Sequence, residues 1–89
     1  MLIALIARDK PGALETRKEN RAAHLAYIEE TGVVFQAGPL IVDGGMAGSL
    51  VILDVEDMTV AEAWAAGDPY AKAGLFQSVE LIEWKKVIG

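Results

Sequence analysis

The only histidine of the chain, His24, is the residue whose type most directly suggests chemistry. An imidazole titrates near neutral pH, so it can accept or release a proton during a reaction. Helical spacing over residues 14–30 puts His24 in one sector with Arg17 and Arg21, which could attract an anionic or phenolic oxygen. The alternative is that the histidine makes only local hydrogen bonds and that the arginines pair with surface glutamates.

Asp68 is a second residue that could carry chemistry. It follows Gly67 and precedes Pro69, so it could simply cap a short helical turn that has the proline in its first position. It could also lie at the rim of a pocket, with Tyr70 and Phe76 as an apolar wall. The two roles are compatible, and a carboxylate within hydrogen-bonding reach of an imidazole would fix the tautomer of that ring.

Other residues that could carry chemistry give weaker signals. Ser49 follows Gly48 and offers a hydroxyl, but no G-x-S-x-G sequence surrounds it, so we do not expect a nucleophile. The dipeptide Gly38-Pro39 most simply marks a bulge or an edge in a strand. One histidine with scattered acids does not suit a transition-metal site, and no glycine-rich phosphate loop is present. We therefore expect neither a metal nor another cofactor.

The elements that must position these residues follow the order β-α-β-β-α-β. The first strand is apolar throughout, which suits a central strand covered on both faces. Gly38-Pro39 interrupts or bends the second strand, and alternation along the fourth puts Phe76 on the same side as Ser78 and Trp84. The predicted strands are residues 2–7, 33–37 (which residues 40–42 could continue), 49–56 and 76–84, and the predicted helices are residues 14–30 and 59–67.

Turn and capping residues predict where the elements end. Gly32 is a plausible C-cap for the first helix, and the Asp-Gly-Gly sequence at residues 43–45 predicts a tight hairpin turn. Thr59 with Glu62 fits a capping box that opens the second helix. Residues 85–89 form a tail that could extend the last strand or pair elsewhere.

Length and composition exclude several classes of protein. A chain of 89 residues with 53% hydrophobic content suits one domain, residues 1–89, and has no room for a second. A net charge of −5 and scattered basic residues argue against nucleic-acid binding. The chain has no cysteine, and the apolar run at residues 2–7 is too short for a signal or a membrane span. We expect a cytoplasmic protein that does not bind membranes.

The element order predicts an α+β fold of the ferredoxin-like kind, a four-stranded antiparallel sheet with two helices on one face. The second face of that sheet is left open. Because the chain is small and apolar, a second copy is the simplest cover, and we expect a homodimer. Trp64 and Trp84 fit the core or this interface better than a stacking platform.

These motifs together resemble the YciI-like, or YCII-related domain, family of dimeric α+β barrels. The resemblance covers nearly the whole chain, in the order Pro11-Gly12-Ala13-Leu14 to Arg17, Arg21-Ala22-Ala23-His24-Leu25 with Tyr27, Ala37-Gly38-Pro39-Leu40, Gly48-Ser49, Asp68-Pro69-Tyr70 and Ala73-Gly74-Leu75-Phe76. It implies a pocket in each subunit where His24 and Asp68 form a catalytic pair. Ser49 and the Gly38-Pro39 turn would line the same pocket.

The resemblance implies elimination or other proton-transfer chemistry on a small cyclic or aromatic molecule, because the family includes a chlorinated-hydroquinone dehydrochlorinase. Our leading hypothesis is an acid-base enzyme without a cofactor, in which His24 moves a proton and is oriented by Asp68. Arg17, Arg21, Gly38, Pro39, Ser49, Tyr70 and Phe76 are the expected substrate-binding residues. The alternative is a dimeric module that binds a small molecule, or assists a larger enzyme, without turnover.

Overall fold

The computed structural model describes residues 1–89 and has four strands and three helices. The sheet is antiparallel throughout, with the strand order β2-β3-β1-β4. The helices pack against one face, so the predicted ferredoxin-like α+β fold is confirmed. The elements in chain order are β1 (Leu2–Asp9), α1 (Leu14–Thr31), β2 (Val34–Val42), β3 (Gly45–Asp54), α2 (Met58–Gly67), α3 (Pro69–Lys72) and β4 (Phe76–Trp84).

The core lies between the helices and one face of the two central strands. Side chains that alternate along β1 and β3 supply most of it, as period-two patterning requires. Trp64 and Ala61 bring α2 onto this layer. The buried core side chains are Ile3, Leu5, Ala7, Val51, Leu53, Val55, Ala61 and Trp64.

Two hydrogen bonds and one aromatic contact hold α1 against α2. The Tyr27 hydroxyl donates to the Trp64 carbonyl oxygen at 2.8 Å, and the indole of Trp64 donates to Thr31 Oγ1 at 2.9 Å. The Tyr27 and Trp64 rings lie 5.0 Å apart, centroid to centroid. Gly32 caps α1 in the left-handed conformation at φ 65°, as predicted, and its N–H donates to the Ile28 carbonyl oxygen.

The opposite face of the sheet, which we call the open face, is covered by no element of the chain. Leu50 and Ile52 of β3 lie on this face, as do Ile82 and Trp84 of β4 on the other side of β1. Leu50 is 39%, Ile82 is 50% and Trp84 is 39% exposed. Within one copy, the central strand β1 is therefore covered by helices on one face only, not on both as its apolar sequence predicts.

Several predicted details of the elements are wrong. α2 begins at Met58 and not at Thr59, because the Asp57 side chain caps it by accepting a hydrogen bond from the Val60 N–H at 3.0 Å. An aspartate one residue before the helix makes the Thr59 capping box unnecessary. β3 begins at Gly45, so the hairpin is a two-residue turn, with Asp43 and Gly44 both at positive φ.

Gly38-Pro39 neither ends nor interrupts β2. Its residues stay paired with Leu50 and Ser49 of β3, and the two register shifts lie elsewhere, between Val34 and Gln36 and between positions 40 and 41. Proline is tolerated because β2 is at the edge of the sheet, where an absent N–H leaves no ladder bond unmade.

A register shift in β4 changes the side on which Phe76 lies. Arg8 pairs with Ser78, but Asp9 pairs with Phe76, so Gln77 is an extra residue in β4. Strict alternation would put Phe76 on the side of Ser78, and this prediction is wrong because the bulge reverses it. Phe76 instead packs under the helices, where its ring meets that of Tyr70 edge to face at 6.0 Å.

Candidate functional site

A cavity of about 210 Å³ opens between α1, α3 and the paired strands β2 and β3. Half of its twelve lining residues are hydrophobic, a tyrosine among them, and the others are two arginines, a histidine, a serine, a glycine and a proline. An engineered apolar cavity of about 150 Å³ is known to hold benzene, so this volume suits one substituted ring. The cavity is lined by Arg17, Arg21, His24, Leu25, Ile28, Ala37, Gly38, Pro39, Met46, Ser49, Val51 and Tyr70.

His24 and Asp68 form a buried pair at this cavity. His24 Nδ1 lies 2.8 Å from Asp68 Oδ1, and the two side chains are 8% and 1% exposed. Because a carboxylate accepts hydrogen bonds, this contact favours the neutral tautomer in which Nδ1 carries the proton and Nε2 keeps the lone pair. Residues that are 44 apart in sequence thus meet within hydrogen-bonding distance.

The turn after α2 explains how Asp68 is held. Its Oδ1 also accepts a hydrogen bond from the Tyr70 backbone N–H at 3.0 Å, so the residue caps α3 while Pro69 occupies the first turn. The capping role and the contact with His24 therefore coexist. Oδ2 of Asp68 is buried and has no hydrogen-bond partner within the chain, which leaves its negative charge close to the imidazole.

Arg17 is the second buried charged group of the site and is 3% exposed. Its Nε donates to Asp9 Oδ2 at 2.7 Å, and its Nη2 donates to Asp9 Oδ1 at 3.0 Å and to Ser49 Oγ at 2.8 Å. Burial alone would lower the pKa of Arg17, but the hydrogen bond and the charge of Asp9 outweigh burial and raise that pKa above its ordinary value. The guanidinium is therefore always charged.

Tyr70 connects the two buried pairs. Its ring stacks on His24 at a centroid distance of 3.9 Å and an angle of 17°, and the Arg17 Cζ lies 4.8 Å from its centroid. Burial raises the pKa of Tyr70 above its ordinary value, although the positive charges of Arg17 and Arg21 act in the opposite direction. The phenol is thus neutral at physiological pH and can donate a hydrogen bond.

The structure brings seven of the nine candidate residues to the cavity wall: Arg17, Arg21, His24, Gly38, Pro39, Ser49 and Tyr70. Asp68 lies behind His24, and Phe76 lies behind Tyr70, so neither forms part of the wall. Apolar side chains do not dominate the buried face of α1. Leu14 and Leu25 are 41% and 47% exposed, whereas Arg17 and His24 are buried.

Sequence reasoning did not identify Asp9 or Met46 as part of this region. Asp9 reads as part of a turn because Lys10, Pro11 and Gly12 follow it. Its position at odd spacing after Ile3, Leu5 and Ala7 is the signal that would have placed it on the helix-covered face. Nowhere in the chain do three or more histidine, cysteine or acidic side chains converge as a metal site would require.

The fold and the cavity define a class of protein: a small ferredoxin-like α+β domain with a buried histidine-aspartate pair beside a ring-sized cavity. Comparison with known sequences makes the assignment specific. The profile of the YCII-related domain matches residues 1–85, and the chain belongs to that family. None of its helices combines the length and the hydropathy needed to cross a membrane.

Individual relatives agree with this assignment. Protein YciI from Escherichia coli O6:H1 is 39% identical over 97 aligned positions, covering 98% of this chain and 99% of the relative. An uncharacterized protein from Haemophilus influenzae is 34% identical, and the alignment again covers 98% of this chain and 99% of the relative. Among solved structures, the chain is similar to TftG, the 5-chloro-2-hydroxyhydroquinone dehydrochlorinase of Burkholderia phenoliruptrix AC1100, in complex with 2,5-dihydroxybenzoquinone. The two chains are 35% identical, and their superposition has a TM-score of 0.89 and covers 96% of this chain and 94% of TftG.

Proposed function

We propose that this protein is a cofactor-independent acid-base enzyme that moves a proton on a small cyclic or aromatic molecule. The observation that carries the proposal is the 2.8 Å contact between His24 Nδ1 and Asp68 Oδ1 at the wall of a ring-sized cavity. With its Nδ1–H committed to the carboxylate, the imidazole has only Nε2 with which to accept a proton. Asp68 then stabilises the imidazolium that forms, because its negative charge is buried beside the ring.

The cavity supports a substrate that bears oxygen on a ring. Apolar side chains from α1, β2 and β3 would cover the ring faces, and the guanidinium groups of Arg17 and Arg21 would bind a phenolic or enolic oxygen. TftG, which acts on a chlorinated hydroquinone, indicates the kind of reaction. Loss of a proton and of chloride from 5-chloro-2-hydroxyhydroquinone yields hydroxybenzoquinone, with no oxidant consumed.

We also propose that the functional unit is a homodimer joined through the open face. Leu50, Ile82 and Trp84 leave apolar surface on it that a second copy would cover. A groove on this face runs beside residues 37–39 of β2, which also line the cavity from the other side. A partner seated there would support the strand that forms one wall of the site.

Chloride release from 5-chloro-2-hydroxyhydroquinone by the purified protein, with no cofactor added, tests the proposed function. We expect turnover, and we expect His24→Asn to lower kcat by roughly 10²- to 10⁴-fold, the usual contribution of a general base. The asparagine amide can still reach Asp68, so the fold is preserved while the proton acceptor is lost. Glu62→Gln, an exposed change on α2, is the control and should keep full activity.

A binding module without catalysis would give a different result. In that case 2,5-dihydroxybenzoquinone, the ligand bound to TftG, would bind the wild type and His24→Asn, and neither protein would release chloride or turn over a panel of chlorinated phenols and cyclic enols. That outcome would replace the enzyme proposal with one of ligand binding.

A further inference from the structure

Asp9 is a buried carboxylate that the proposed proton transfer does not use. Its side chain is 6% exposed and accepts two hydrogen bonds from Arg17, at 2.7 Å from Nε and 3.0 Å from Nη2. It stands at the end of β1, where the register shift in β4 pairs it with Phe76. Arg17, which it holds, lines the cavity, whereas Asp9 itself does not.

The hydrogen bonds of Arg17 leave one part of its guanidinium uncommitted. The group has five N–H donors in a rigid plane. Nε–H and one N–H of Nη2 bind Asp9, and the other N–H of Nη2 binds Ser49 Oγ at 2.8 Å. Because the group is planar, these three bonds also set the direction of Nη1, which makes no hydrogen bond of ordinary length within the chain. The Tyr70 side chain lies beside the guanidinium and contributes to raising the pKa of Arg17.

The two arginines of the cavity differ in whether their charge is offset by a carboxylate. The carboxylate of Asp9 offsets the charge of Arg17, so Arg17 supplies oriented donors more than net charge. Arg21 also lines the cavity but is exposed and makes no ion pair within the chain. A mobile, unpaired cation attracts an anionic substrate before reaction, whereas fixed donors act on charge that develops during it.

We propose that Asp9 is a positioning residue that holds Arg17 so that Nη1 donates to the substrate oxygen on which negative charge develops. This inference rests on the proposed function. A substrate proton moves to His24 Nε2 from a hydroxyl or from the saturated carbon of a keto tautomer, and the electron pair of the broken bond is shared between the conjugated ring and that oxygen. In dehydrochlorination these electrons then form the new double bond of the quinone, and chloride leaves with the electron pair of the C–Cl bond. The substrate class is therefore a ring in which a hydroxyl or carbonyl oxygen is conjugated with the position that loses the proton.

Asp9→Asn tests the kinetic part of the inference. The amide replaces one acceptor oxygen with a donor, so it cannot accept both hydrogen bonds of the guanidinium. With 5-chloro-2-hydroxyhydroquinone as substrate, we expect kcat to fall by about 10- to 100-fold with little change in KM. Arg21→Gln should mainly raise KM. Unchanged kcat in a folded Asp9→Asn protein, or a change in KM alone, would overturn the inference.

Chemical rescue separates positioning from a general effect on folding. Arg17→Ala leaves a space beside Asp9. Added guanidinium ion should raise the kcat of this variant about tenfold or more, because the Asp9 carboxylate is present to bind it. In the double variant Asp9→Asn with Arg17→Ala, guanidinium should restore nothing. Equal rescue of the two proteins would contradict the positioning role.

A binding measurement keeps the inference testable if no turnover is found. The quinone 2,5-dihydroxybenzoquinone carries acidic hydroxyl groups and imitates the charged oxygen, so its Kd reports the Nη1 donor directly. We expect Asp9→Asn to raise this Kd about tenfold, and Ser49→Ala, which removes only one of the three hydrogen bonds, to raise it less. Asp43→Asn, in the exposed hairpin turn, is the control.

Two results of the binding experiment have distinct meanings. If Asp9→Asn raises the Kd of the quinone and no protein shows turnover, the result would contradict the proposed enzyme but support the positioning of Arg17. A Kd within twofold of the wild type in both Asp9→Asn and Ser49→Ala would overturn the positioning role, whatever the activity.

Discussion

Tyr70 is the residue through which the charged groups of the cavity contact one another. Its ring stacks on His24, its face lies near the Arg17 guanidinium, and its backbone N–H binds Asp68. A histidine that is flanked by an aromatic ring and a carboxylate has little freedom to rotate. The Asp-Pro-Tyr sequence thus supplies the acidic partner and the stacking partner from one short turn.

The tyrosines give a pH-dependent test of burial at the site. The chain has only Tyr27 and Tyr70. Burial raises the pKa of both, reinforced by the negative charge of Asp68 and opposed at Tyr70 by Arg17. We therefore expect tyrosinate absorbance near 295 nm to show no phenol ionising at the ordinary pKa of about 10.

The same shifts predict the direction of a stability change. The unfolded chain loses its phenolic protons near pH 10, while the folded chain retains them, so the unfolded state binds fewer protons above that pH. Below pH 10 both states keep the phenolic protons, so these two groups should give the free energy of unfolding no pH dependence. Above pH 10 the free energy of unfolding should fall as the pH rises through the pKa values of the folded protein. Tyr27→Phe and Tyr70→Phe assign the two steps, and a normal titration of either tyrosine would contradict its burial.

Gly48 shows how closely β1 and β3 must approach beside the cavity. A Cβ at this position would clash with the Ala7 carbonyl oxygen and would lie 3.0 Å from Leu40 Cδ1. The first contact is with backbone in the centre of the sheet, so it cannot be relieved by a side-chain rotation. The neighbouring Ser49 depends on this close approach for its position at the cavity wall.

Gly48→Ala should therefore lower the free energy of unfolding by about 1 to 3 kcal/mol, the usual cost of overpacking. Urea denaturation monitored by tryptophan fluorescence measures the change. Gly38→Ala is a matched control in the adjacent strand, because a Cβ there meets no atom within 4 Å. Equal stabilities for the two variants would show that β1 and β3 are less tightly packed than described.

The elements were more predictable than the contacts between them. Periodicity and the Asp-Gly-Gly turn were sufficient for the strand and helix order, because they depend on local sequence. The position of Phe76 depends on one extra residue in β4, and the start of α2 on a choice between Asp57 and Thr59 as cap. The first is decided by pairing across the sheet, which no local pattern records. The second is decided by which of two nearby side chains accepts the free N–H groups of the first helical turn.

The candidate site was predictable in its residues more than in its geometry. The motif resemblance named His24 and Asp68 together, although nothing in their spacing along the chain requires them to meet. The ion pair of Asp9 with Arg17 could not be inferred, because a carboxylate before a Lys-Pro-Gly turn is usually a solvated residue. Tertiary packing, not composition, makes this carboxylate part of the site.

At the scale of the whole molecule, the open face carries the exposed apolar side chains of Leu50, Ile82 and Trp84. If two copies join through this face, the protein should behave in analytical ultracentrifugation as twice its chain mass of 9.5 kDa. We expect the double variant Leu50→Lys with Ile82→Lys to sediment as a monomer, because two buried ammonium groups in each subunit would face the partner.

Val60→Lys is the control for this prediction. Val60 is 42% exposed, as much as Leu50, but lies on α2 and away from the open face. It should therefore leave the dimer intact. A monomeric wild-type protein, or a dimer that survives both open-face substitutions, would show that the open face is not the interface.

The tautomer of His24 tests the central claim most directly, and as the only histidine it gives unambiguous ¹⁵N signals. For the neutral ring, the His24–Asp68 contact predicts a proton on Nδ1 and a lone pair on Nε2 in the wild type, and loss of this preference in Asp68→Asn. A wild-type ring protonated at Nε2, or a tautomer unchanged by Asp68→Asn, would contradict the proposed histidine-aspartate pair.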